Sequence, residues 1–128
     1  MKILVDTDII IDVLRDFKST IKLLKELTEN NDLYISGITK GEIFSGKEME
    51  NEEKRKKTEK FLLHFNKVNP ENEIFKLAGD IRRKYNVTLA DGIIAATALK
   101  IDAELLTRNR KDFEKIDEVK LFNYNSDN

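Results

Sequence analysis

The sequence predicts an α/β domain with a central parallel sheet of about four to five strands flanked by helices. Three observations lead there. Ile3-Leu4-Val5 is an unbroken apolar run, the pattern of a strand covered on both faces, and Asp6 follows it at once. Strand-like runs alternate with helix-like patterns across 1–128 with no repeat and no linker, which calls for right-handed crossovers between parallel strands within one domain. Leu89 to Leu99 is small and apolar almost all round, the composition of a buried helix. In sheets of this kind ligands gather beyond the carboxyl ends of the strands, so Asp6 is expected in a crevice there.

Each element has its own signal. Asp8 suits the N-cap of a first helix that runs to about Arg15, with Asp12 one turn on and paired to Arg15 or solvent. Ile21, Leu24 and Leu27 form one stripe of a second helix, Ser19 to Glu29, capped by Ser19 or Thr20. Asn30-Asn31-Asp32 is a turn and Leu33 to Ser36 a strand. Thr39 with Glu42 has capping-box spacing for a third helix. Lys47 to Lys60 is a mixed-charge helix that gains an apolar face at Phe61, Leu62 and Phe65. Lys67 to Asn69 is a short strand. Pro70 and Glu71 open a fifth helix whose Ile74, Phe75, Ala78, Ile81 and Tyr85 repeat at core spacing. Past the buried helix, Glu104 to Thr107 is a strand, Lys111 to Ile116 a helical turn and Val119 to Phe122 a last strand.

Composition narrows the chemistry. Of 128 residues 37% are charged, 23 basic against 24 acidic, and the mean hydropathy of −0.50 describes a soluble globular surface. No apolar run reaches the roughly 20 residues of a membrane span, and no signal-peptide core is present, so a cytoplasmic location is expected. The absence of cysteine rules out disulfides and thiolate metal sites. One histidine, His64, is too few for an ordinary zinc or two-histidine iron site, so any metal is held by oxygen, as Mg²⁺ or Mn²⁺ is. His64 itself reads as a packed or half-exposed helix residue.

Further polar groups fall where Asp6 falls, just past a strand or at a helix start. They are Glu42, Asp91 at the head of the buried helix, and Asn109 with Asp112 after Leu105-Leu106-Thr107. Asp91 taken alone reads as a helix N-cap, and Glu42 alone as the capping-box partner of Thr39. Together they repel unless a cation neutralises them. Asp91 is the most telling, because no residue nearby in sequence balances its charge. Carboxylates with an amide and no histidine form the ligand set of Mg²⁺ or Mn²⁺, which promotes phosphodiester cleavage.

Leu4-Val5-Asp6-Thr7-Asp8, Glu42 with Gly46, Asp91-Gly92-Ile93-Ile94-Ala95-Ala96-Thr97-Ala98 and Leu106-Thr107-Arg108-Asn109-Arg110-Lys111-Asp112-Phe113 resemble the PIN-domain nucleases, and most of all the VapC-type toxins. The likeness runs from the first strand to the last, and the Asp91 segment is its most specific piece. It implies a single PIN-like (Rossmann-like) domain and a Mg²⁺- or Mn²⁺-dependent endoribonuclease that forms a homodimer and is held inactive by a small antitoxin. It also implies Asp6 and Asp91 as metal ligands and Glu42 as a third acidic member. Many relatives have Asp where this chain has Asn109, so either the fourth place carries no charge or Asp112 fills it. The Thr107 hydroxyl is placed to hold a water or a carboxylate. Arg108, Arg110 and Lys111 flank the site and are candidates for RNA phosphate.

Two other classes compete. A phosphatase of the haloacid-dehalogenase type would use Asp6 as nucleophile and Asp8 as general acid, although Ile10 departs from that pattern and the chain lacks room for a cap domain. A PIN-type fold kept as a non-catalytic binding module would hold no metal.

Overall fold

The computed structural model describes residues 1–124. Four strands, β1 (Lys2–Val5), β2 (Asp32–Ser36), β3 (Asn66–Val68) and β4 (Glu104–Leu106), form one sheet in the order β3-β2-β1-β4 with every pairing parallel. β1 is central, which is why its Ile3, Leu4 and Val5 are all fully buried. Alternation divides them: Ile3 and Val5 enter one core cluster and Leu4 the other. The last strand expected at Val119 to Phe122 reduces to one parallel bridge, Leu121 to Leu105. β4 ends at Leu106, so its outer edge offers little more than the Leu105 amide and carbonyl. These bond Lys120 and Phe122, each at 2.8 Å.

On the Ile3/Val5 face pack α1 (Thr7–Leu14), α2 (Lys18–Thr28), α3 (Gly37–Phe44) and α4 (Glu52–Leu62), through Ile9, Ile10, Leu24, Leu27, Ile43 and Leu62. On the Leu4 face lie α5 (Asn72–Tyr85), α6 (Leu89–Lys100) and α7 (Arg110–Glu114). α6 is buried from Gly92 to Ala98, as its composition requires. A Cβ on Gly92 would stand 2.7 Å from the Ala78 carbonyl oxygen, so glycine permits the close approach of α5 and α6. No helix among the described residues is long and apolar enough to cross a membrane.

Several boundaries depart from the sequence expectation, each for a local reason. Asp6, rather than Asp8, caps α1, its Oδ1 accepting the Thr7 amide at 2.8 Å, because the helix begins immediately after the strand. Ser36 caps α3 in place of Thr39, and the fully buried Thr39 turns its hydroxyl to Thr7. With the start moved, the Thr39–Glu42 capping box does not form. α2 begins at Lys18 after Phe17, with no side-chain cap from Ser19 or Thr20. The mixed-charge run is broken into a 3-10 turn, Lys47–Glu50, and α4, because the Asn51 side chain caps a new start. Pro70 and Glu71 precede α5 instead of opening it. Phe75 is 50% exposed, one position off the stripe of Ile74, Ala78 and Ile81, and so outside the core. His64 is exposed, with Nδ1 3.0 Å from the Phe61 carbonyl.

Candidate active site beyond the carboxyl end of β1

Four parts of the chain meet where β1 ends. Asp6 and Asp8 come from the start of α1, Glu42 from α3, Asp91 from the first turn of α6, and Asn109 with Asp112 from the start of α7. Asp6 is only 8% exposed. Its Oδ2 takes the hydroxyl of the fully buried Thr107 at 2.8 Å, a bond across 101 positions of sequence. Its backbone amide reaches the Leu106 carbonyl at 2.9 Å, fixing β1 to β4 at this point. Burial, then the charge of Asp8, and to a smaller degree Asp91, push the Asp6 carboxyl up to about 7, against the hydrogen bonds from Thr107 and Thr7.

Asp8, which the sequence pattern assigns to an N-cap, instead lies close enough to Asp6 and Asp91 for its charge to raise both. Its Oδ2 accepts the Arg108 amide at 3.1 Å and lies 3.3 Å from the Thr107 hydroxyl, whose single proton goes to the nearer Asp6. Its Oδ1 is buried with no hydrogen-bond partner. Burial raises the Asp8 carboxyl, opposed by the Arg108 amide and guanidinium. The Asp-x-Asp spacing across a strand-to-helix junction was the available signal, since both carboxylates then leave the first helical turn.

Thr88 caps α6 by accepting the Asp91 amide at 3.1 Å, so Asp91 itself is not the cap and its carboxylate is left for the crevice. Burial raises Asp91 most, the Thr88 hydroxyl lowers it, and Asp112, Glu42 and Asp8 raise it further. Glu42 accepts the Thr7 hydroxyl on Oε1 at 2.7 Å. Asn109 donates from Nδ2 to Asp112 Oδ2 at 3.0 Å, and its amide bonds Thr107 Oγ1 at 3.0 Å. The amide and the acid proposed for one place therefore touch directly.

The basic residues differ in role. Arg110 is tied to the Phe122 carbonyl at 3.1 Å and the Asn123 side chain at 2.8 Å. Lys111 is exposed. Arg108 pairs through Nε with the buried Asp12 at 3.2 Å. Asp12 was expected to meet Arg15 or solvent; α1 instead turns it inwards beneath the Thr107–Asn109 loop.

Five carboxylates, Asp6, Asp8, Glu42, Asp91 and Asp112, thus lie near one another, and the charges of their neighbours raise Asp6 and Asp91. The donor set is all oxygen, and the unpartnered buried Asp8 Oδ1 is a ready ligand atom; both fit a hard divalent cation. As the side chains stand, no three acidic or imidazole groups among the described residues converge on a single point, so binding an ion requires rotamer changes. Asp6 Oδ1 and Oδ2 accept the Thr7 amide and the Thr107 hydroxyl, and Asp8 Oδ2 accepts the Arg108 amide, which leaves each carboxylate lone pairs for a further ligand.

The profile of the PIN domain family matches residues 3–119. Among solved structures, a toxin–antitoxin complex from Klebsiella pneumoniae is 33% identical, covering 91% of this chain and 93% of that one, with a TM-score of 0.79. FitAcB from Neisseria gonorrhoeae is 28% identical over 94% of this chain and 96% of its own, with a TM-score of 0.78. VapBC2 from Rickettsia felis bound to a promoter DNA fragment shares the fold, with a TM-score of 0.83 at 24% identity, covering 98% of this chain and 100% of that one. No curated protein sequence matches the chain. The matched span, the parallel sheet and the likeness to VapBC and FitAB toxins agree, and the chain belongs to the PIN-domain family of nucleases, in its VapC-type branch.

Proposed function

We propose that the chain is the toxin of a toxin–antitoxin pair, an endoribonuclease that requires Mg²⁺ or Mn²⁺, with Asp6, Asp91 and Glu42 as metal ligands. The observation that carries this reading is the meeting of five carboxylates from separate parts of the chain, including an unpartnered Asp8 oxygen, at the carboxyl end of the central strand. A bound divalent ion supplies Lewis acidity and neutralises the charge that builds on the phosphoryl oxygens.

The chain's own residues do the positioning. The Thr107 hydroxyl fixes Asp6, and the Thr7 hydroxyl fixes Glu42. The Arg108 amide holds one oxygen of Asp8, and the other is buried without a hydrogen-bond partner. Asp112, kept in place by Asn109, fills the fourth acidic position. Arg108 and Lys111 are the cations best placed for RNA phosphate, because Arg110 is engaged with the carboxyl-terminal segment. The whole of 1–128 acts as one PIN-like unit in the cytoplasm.

The Klebsiella pneumoniae relative is a toxin–antitoxin complex, and an antitoxin partner is proposed on that ground. A groove of about 580 Å³ between α1, α3 and α4, lined by Ile11, Leu14, Ile43 and Met49 and reaching Glu42, offers such a partner a seat next to the site. The toxin is proposed to be a homodimer, which sedimentation of the purified chain checks.

Purified protein is expected to cleave single-stranded RNA with Mg²⁺ or Mn²⁺ and to stop with EDTA. Asp6→Asn and Asp91→Asn should each abolish cleavage. Two variants that cut like the parent would end the assignment, and calorimetric absence of Mn²⁺ binding would favour a non-catalytic module.

A further inference from the structure

Asp12 is a carboxylate that the proposed metal chemistry does not use. It lies one turn beyond Asp8 on α1 and is 3% exposed. Its Oδ2 faces Arg108 Nε at 3.2 Å and the Thr20 hydroxyl at 3.4 Å. Arg108 supplies the one cation paired with it among the described residues. A buried charge of this kind is strongly unfavourable without its partner. The pair is also connected to the site: the Arg108 amide bonds Asp8, and the residue before it is Thr107, which holds Asp6.

The way the guanidinium is held matters. Asp12 ion-pairs with the guanidinium on its Nε side, and the two terminal amino groups have no hydrogen-bond partner among the described residues, on a side chain 51% exposed. An arginine ion-paired on its Nε side keeps its outer fork free, the geometry suited to two parallel bonds with a phosphate. A long side chain otherwise loses conformational freedom on binding, and a buried anchor removes part of that loss beforehand.

We infer that Asp12 is a positioning residue that aims the Arg108 guanidinium at a phosphate of the RNA strand next to the scissile one. This rests on the nuclease reading. Asp12 touches neither the strand nor the metal; it acts through Arg108. Its role is in substrate affinity and not in the chemical step.

Steady-state cleavage of a fluorescent single-stranded RNA over a range of salt concentrations tests it. Asp12→Asn, nearly isosteric, should raise KM about tenfold with kcat within about twofold of the parent, as expected when one charge-assisted bond to the strand is removed. The slope of log(1/KM) against log[salt] should become shallower by about 0.7, because one fewer phosphate of a single strand is neutralised. Arg108→Gln should do the same, and the double variant should be no worse than Arg108→Gln alone. A lower kcat at unchanged KM, an unaltered salt slope, or additive losses in the double variant would overturn the inference while leaving the nuclease assignment standing. A parent protein that neither binds nor cuts RNA would instead remove both. If Asp12→Asn does not fold, Arg108→Lys decides. Lysine has no Nε to give Asp12, so its KM and salt slope should match those of Arg108→Gln, whereas rescue by lysine would show that the anchor is unnecessary.

Discussion

Thr107 Oγ1 donates to Asp6 Oδ2 at 2.8 Å, joining the loop after β4 to the end of β1 where both side chains are almost shut off from water. The bond does two jobs. It satisfies a buried acceptor, and it turns the Asp6 carboxyl towards the crevice shared with Asp8 and Asp91. Thr107→Val keeps the shape and removes the proton. Leaving Asp6 Oδ2 unsatisfied should lower unfolding free energy by about 1–3 kcal/mol, measured by urea titration. Mn²⁺ affinity should fall with it, whereas a stability loss at unchanged Mn²⁺ affinity would reduce Thr107 to a structural residue.

The same carboxyl sets a pH dependence whose sign is unusual for an acid. Asp6 has an ordinary value near 3.8 when unfolded and is pushed up to about 7 in the fold. Its neutral form is favoured by folding, so this contribution is complete below about pH 4 and is lost as pH rises through 7. With metal removed by EDTA, the melting temperature should therefore fall between pH 5 and about 8, by a contribution on the order of 2–4 kcal/mol. Added Mg²⁺ should cancel the fall, and Asp6→Asn should flatten it. A metal-free protein equally stable across that range would mean that water reaches the crevice and relieves the burial.

Gly92 separates two opposing effects. Alanine in a helix interior gains about 1 kcal/mol over glycine, but here its Cβ would stand 2.7 Å from the Ala78 carbonyl oxygen, a backbone atom of α5. Overpacking of that kind typically costs about 1–3 kcal/mol. Gly92→Ala should thus be net destabilising by about 1–2 kcal/mol in a thermal melt. It should also reduce cleavage, because α6 moves and carries Asp91 with it. An increase in stability would mean that α5 and α6 do not approach this closely in solution.

The sheet was legible because β1 and α6 are buried on all sides, and burial writes itself into unbroken apolar runs such as Ile3 to Val5 and Ile93 to Ala96. Asp6, Asp91 and Asp112 could be singled out because each follows a strand or falls in the first turn of a helix, a position visible in one dimension, whereas Glu42 lies in the second half of α3 and not at the helix start its spacing from Thr39 suggested. Asp8 and Asp12 were misread for the opposite reason. A carboxylate early in a helix has cheap local partners, an N-cap amide or an arginine one turn on, and only the fold reveals that Arg108, far along the chain, lies nearer to both. Helix starts slipped by one to three residues wherever several hydroxyl or carboxyl side chains competed to cap, as at Asp6 against Asp8 and Ser36 against Thr39.

Asn109 and Asp112 can be told apart, because the structure gives them different tasks. Asp112 contributes charge: it raises Asp91 across the crevice, and its Oδ1 lies 3.9 Å from Lys115. Asn109 contributes two hydrogen bonds, one to Asp112 and one to Thr107, and no charge. If Asp112 is the fourth acidic member, Asp112→Asn should remove most cleavage with little change in stability, since the group is only half-buried. Asn109→Ala should then give a partial loss through misplacement of Asp112. Asn109→Asp adds a like charge next to Asp112 Oδ2, 3.0 Å from where the amide nitrogen now stands. In metal-free protein that repulsion should lower the melting temperature, and saturating Mn²⁺ should restore it. Should Asp112→Asn cut RNA at the parental rate while Asn109→Ala is inactive, the amide itself is the fourth ligand and the site works with one negative charge fewer.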